Sequence, residues 1–128
     1  YSWYERSMTR VVNHLKTCFP NASFLIVSTA DKSTKYGMEM KTDSAVVPLA
    51  NAQQRYAETT RSGFVNLYTL MGGDGSMVRW VEDEPALGNK DYTHFNTKGS
   101  QKIARFIFDE LKKEYAQFRK NKPILNIE

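Results

Sequence analysis

A single cysteine, Cys18, and only two histidines, His14 and His94, limit the chemistry open to this chain. One cysteine excludes an internal disulfide and any multi-cysteine zinc site. Cys18 falls on the apolar stripe of a predicted helix, which predicts a buried structural thiol rather than a nucleophile. Apolar runs are only a handful of residues long, so no membrane span is expected. Internal repeats and low-complexity segments are lacking too. The opening Tyr1-Ser2-Trp3-Tyr4 has no initiator methionine and reads as a cut end.

What remains is ordinary globular material. The 128 residues are 41% hydrophobic and 25% charged, enough for one domain and too few for two. The formal net charge of +4 is concentrated in "KKEYAQFRKNK", where Lys112, Lys113, Arg119, Lys120 and Lys122 face only Glu114. No aromatic-interleaved strand motif or recognition helix accompanies them, so no nucleic-acid partner is expected. Cations collect favourably at a helix C-terminus, where the backbone dipole is negative.

Periodicity predicts a helix over 3–18, with Met8, Val11, Val12, Leu15 and Cys18 on one face and Pro20 ending it. "SFLIVST" (23–29) is too short for a helix and suits a strand covered on both faces. Residues 30–44 are polar and predict a long loop. A second helix is expected over 46–61, with Pro48 in its first turn and Gly63 closing it. "FVNLYT" (64–69) predicts a second strand, followed by the glycine-rich "LMGGDGS" and a short helix capped by Ser76 or Asp74. The last helix is expected from about Thr97, capped by Asn96 or Thr97. Its apolar face would be Ile103, Ala104, Ile107, Phe108, Leu111 and Tyr115. Alternating helices and strands predict a parallel sheet, but two strands cannot bury themselves. The chain reads as the second half of a doubly wound α/β domain that needs an upstream part.

Chemistry concentrates in "GNKDYTHFNTKGSQKIA" (88–104). A carboxylate three residues before a histidine can hold the imidazole Nδ1–H and leave Nε2 free to take a proton from a nucleophile. The same spacing also suits a polar helix-flanking loop with no chemistry. A metal would need further ligands, and His14 lies on a helix far away in sequence.

"DYTHFNTKGSQKIARFIFDEL" resembles the last block of the SGNH, or GDSL, hydrolases, in which an Asp-x-x-His pair precedes a glycine and the C-terminal helix. The resemblance makes Asp91 the orienting acid, His94 the general base and Gly99 the glycine that opens the helix. It implies a flavodoxin-like sheet of which this chain is the C-terminal part. It implies a serine and most oxyanion donors upstream. "GGDGS" (72–76) is only a superficial substitute for the family's Gly-Asp-Ser: it reads Gly-Asp-Gly-Ser and follows the last strand. The glycines are therefore expected to give a tight turn and Ser76 to cap the short helix, with lining of a substrate cleft as the lesser reading of this loop.

The resemblance implies a serine ester hydrolase acting on an acylated carbohydrate, a lipid or an aryl ester, with no cofactor or metal, and it favours export. The expected partner is the N-terminal half of the same domain. The alternative is a non-catalytic flavodoxin-like module for binding or association, since fold does not settle function.

Overall fold

The computed structural model describes residues 1–121. Its sheet is built from β1 (Leu25–Val27) and β4 (Gly63–Val65), which run parallel with Leu25 opposite Gly63 and Val27 opposite Val65. Between them come a hairpin, β2 (Ser33–Tyr36) and β3 (Glu39–Thr42), and the crossover helix α2 (Val46–Thr59). Alanines let α2 approach the sheet closely: Ala50, Ala52 and Ala57 are buried beside Val46 and Tyr56. The leading helix α1 (Ser2–Cys18) packs on α2. An edge-on contact between Tyr4 and Tyr56, with centroids 6.0 Å apart, joins them, as does a 2.5 Å Arg55–Glu5 ion pair. Lys16 donates to the carbonyl of Thr60.

Beyond β4 lie α3 (Leu67–Met71), α4 (Ser76–Glu82) and the long α5 (Thr97–Asn121). Leu67, Met71, Met77 and Trp80 form a buried cluster, with Val27, Leu87, Phe95, Ile103 and Phe106 packed against it. Trp80 sits 5.6 Å from Phe95 and 6.3 Å from Phe106, centroid to centroid. This second core anchors α5 and the loop before it.

The architecture is α/β with a small parallel sheet, as the alternation predicts, and several local expectations are corrected. Residues 30–44 hold the β2–β3 hairpin rather than a featureless loop. Gly37, at φ 63°, makes the turn between the two strands. Both strands are polar because the hairpin stands largely off the core, so no hydrophobic run announces it. The strand expected over 64–69 stops at Val65. Asn66 turns the chain, its Oδ1 accepting from the Thr69 N–H at 3.0 Å, and Leu67–Met71 become helix. Gly63 opens β4 instead of closing α2, whose end is made by Thr60 and by Arg61 at φ 51°.

Neither Ser76 nor Asp74 caps α4. Gly75 occupies the cap position at φ 69° and makes no side-chain bond. The cap arrives from a distant segment: buried Asp31 accepts from Met77 N–H at 2.7 Å and from Ser76 Oγ at 3.1 Å, all on Oδ2.

Cys18 is exposed rather than buried, with Sγ 3.7 Å from His14 Nε2. On α1 only Val12 is buried; Val11 and Leu15 face outward. Leu25 of β1 is exposed as well, so the expected double cover is not met among the described residues. On α5, Ile103 and Ile107 are half-buried, whereas Ala104, Phe108, Leu111 and Tyr115 are exposed. Lys122 of the basic run lies outside the described residues. No helix among the described residues is long and apolar enough to cross a membrane.

Candidate active site

The segment between α4 and α5 is held as a closed loop by backbone bonds. Leu87 and Gly88 donate to the Trp80 carbonyl, and Asn96 N–H returns to Leu87 O at 3.0 Å. Inside that ring, Asn89 N–H donates to His94 O at 2.8 Å, and Tyr92 N–H to Asn89 O at 3.0 Å. Tyr92 takes a positive φ of 54°, which reverses the chain between Asp91 and His94. Its carbonyl accepts from Ser33 N–H at 2.9 Å, and its hydroxyl donates to Glu82 at 2.9 Å. The loop is thus fastened to the hairpin root, just past the C-terminal end of β1.

Asp91 uses both carboxylate oxygens. Oδ1 accepts from the N–H groups of Thr93 and His94, each at 2.9 Å, and Oδ2 lies 2.8 Å from His94 Nδ1. The His94 backbone N–H, then the His94 ring and the Thr93 N–H, hold the Asp91 carboxyl down to about 2. It is therefore an anion throughout the neutral range. With Nδ1 engaged, Nε2 is the nitrogen left to exchange a proton. The His94 side chain is 75% exposed, which leaves that nitrogen reachable. Asp91 and His94 are thus placed together, as their spacing predicts.

Gly99 is buried in the first turn of α5, where an added Cβ would lie 2.0 Å from Leu87 O. Only glycine allows the helix to sit this close beneath the loop. Asn96 is the cap of α5: its Oδ1 accepts from Gly99 N–H at 3.0 Å, and its Nδ2 donates to Ala86 O at 2.7 Å. That second bond, and the Asn89 bracket around His94, escape a reading from spacing. Their signal is only that two asparagines flank the Asp-x-x-His block. Ser76 stands apart from this pair. It is fully buried and its hydroxyl is spent on Asp31.

No protein-family model matches the chain. No curated protein matches it either. Among solved structures, the chain is similar to one described as "Peptidoglycan O-acetylesterase in action, 5 min". The two superpose with a TM-score of 0.82 at 22% identity, over 91% of this chain. The chain spans 33% of the length of that relative. At this identity the likeness speaks for the fold alone, which the two share over nearly the whole of this chain.

Proposed function

We propose that this chain is the base-bearing, C-terminal part of a serine esterase that removes acyl groups, acetyl foremost, from carbohydrate. The observation that carries the reading is the 2.8 Å contact between Asp91 Oδ2 and His94 Nδ1, with the imidazole open to solvent. Support for the reaction class comes from the O-acetylesterase of like fold, and for the sugar from the substrate named for it.

In this reading the sheet continues into the doubly wound form of the complete domain, whose upstream part supplies the serine and most oxyanion donors. Serine Oγ attacks the ester carbonyl while His94 Nε2 takes its proton. His94 then returns that proton to the departing sugar hydroxyl, and water repeats the sequence to release the acid. Asp91 keeps the proton on Nδ1 and stabilises the imidazolium, a role that its ionised carboxyl supports. Neither metal nor cofactor enters.

The test is made on the complete protein. It is expected to release acetate from O-acetylated glycan, to hydrolyse p-nitrophenyl acetate, and to be inactivated over time by a sulfonyl fluoride that modifies one serine. Hydrolysis that survives both full serine modification and His94→Ala would sink the assignment.

A further inference from the structure

The hairpin and the glycine loop before α4 enclose an open groove of about 570 Å³ whose lining includes Tyr36, Met40, Lys41, Asp74, Val78 and Arg79. Its walls are tied together rather than merely adjacent. Gly75 N–H donates to Thr42 Oγ1 at 2.8 Å, joining the glycine loop to the hairpin. Arg79 folds back onto its own loop, donating to Asp74 O and Gly72 O, each at 3.1 Å. The glycines make that return possible: Gly72, Gly73 and Gly75 all have positive φ.

Tyr36 is the distinctive wall. It is 45% exposed, yet its hydroxyl is pinned by the Ser44 N–H at 3.1 Å, so the ring is held in place while its surface stays open. An aromatic surface of this kind, with Met40 and Val78 elsewhere on the lining, supplies the apolar part of the groove. Lys41 (paired at 2.7 Å with Glu39), Asp74 and Arg79 form a polar rim. Apolar lining and charged rim together match a ligand with flat C–H faces and hydroxyl edges, which is the chemistry of a sugar ring.

Position fits too. The root of the hairpin, Ser33, bonds the carbonyl of Tyr92, two residues from His94. From Ser33 to Tyr36 the strand advances about 10 Å. A larger cleft of about 670 Å³ lies between α1 and α2, lined by Glu5, Arg6, Arg10 and Tyr56, and shares no residue with the catalytic loop, the hairpin or the glycine loop.

We infer that this groove binds a saccharide unit of the polymer whose acyl ester lies at His94, with Tyr36 as the stacking platform and Asp74 accepting from sugar hydroxyls. The inference rests on the esterase reading for its substrate, but its own ligand contacts are separate from the acid–base pair.

The probe is a soluble β-1,4 oligomer of N-acetylglucosamine without O-acetyl groups, which has no O-acyl ester to lose, titrated calorimetrically into the complete protein. Tyr36→Ala is expected to raise Kd about fivefold to tenfold. Tyr36→Phe keeps the ring and should bind nearly as the parent does. Asp74→Asn should weaken binding, and Met38→Ser, at the 91% exposed hairpin tip, should not. Met38→Ser is expected to hydrolyse p-nitrophenyl acetate at the parent rate. Unchanged oligomer affinity in a folded Tyr36→Ala protein, or no binding by the parent, overturns the groove. If Tyr36→Ala unfolds the hairpin, unchanged affinity in Asp74→Asn does so. A parent that binds the oligomer but cleaves no ester leaves the groove standing and removes the esterase; the converse result removes the groove alone.

Discussion

His94 Nδ1 lies 2.8 Å from Asp91 Oδ2, while Asp91 Oδ1 accepts the backbone N–H of that same histidine at 2.9 Å. One carboxylate therefore fixes both the main chain and the ring of His94. The ring's direction is set without any contribution from outside the loop, although the loop itself is fastened to the hairpin.

Replacing His94 by Ala in the complete protein removes the proposed proton acceptor. The expected loss in kcat is on the order of 10³-fold or more, with little change in KM. Steady-state kinetics on p-nitrophenyl acetate would show it. Asp91→Asn is expected to cost less, since Asn retains an oxygen for the Thr93 and His94 N–H groups while favouring the wrong imidazole tautomer. Its thermal melt should fall only modestly, by the part of the carboxylate's stabilisation that a neutral amide oxygen does not replace; a large loss of stability at full activity would make Asp91 a loop brace and nothing more.

The lowered carboxyl makes a statement about acid. Asp91 is held down to about 2, against an ordinary aspartate value of about 3.9 in the unfolded chain. The folded state therefore gains from Asp91 fully above the unfolded value, and that gain fades as pH falls through the folded one. A carbon-detected NMR titration should place the Asp91 carboxyl midpoint near the lower figure. A midpoint at the ordinary value would mean that the bonds to Thr93 and His94 do not persist in solution.

Gly99→Ala tests the close approach of helix and loop. The new Cβ would meet Leu87 O at 2.0 Å, and the obstacle is backbone, so it cannot swing aside. A destabilisation of about 1–3 kcal/mol is expected by chemical denaturation. Wild-type stability would show that α5 is free to slide away from the loop.

The isolated 1–128 chain exposes Trp3 at 71%, Phe19 at 58% and Phe108 at 56%, and leaves one edge of β1 unpaired among the described strands. Apolar area and an open edge both favour association. We expect no esterase activity from this chain, and sedimentation to show oligomers or aggregates unless a fragment bearing the first half is added. A monomeric chain that melts cooperatively and cleaves esters would contradict both the fold argument and the proposal that the nucleophile lies upstream.

The pairing of Asp91 with His94 was legible in sequence because its contact is local. Three residues separate Asp91 from His94, and an Asp side chain bonds the N–H groups just after it with little help from tertiary structure. The cap of α5, expected at Asn96 or Thr97 and found at Asn96, was legible for the same reason, whereas Gly99 was marked by the family resemblance and its close approach to Leu87 only by the structure. The parallel sheet followed from the alternation of helix and strand, which reflects burial rather than any particular contact. Tertiary structure decided what depends on distant partners. Polar β2 and β3 pair with each other away from the core, where no hydrophobic period marks them. Asp31 caps α4 across 45 residues, a bond that no local pattern contains. Cys18 lies on an apolar stripe in sequence, yet it is exposed, because periodicity defines a face of the helix and only packing supplies something to cover it.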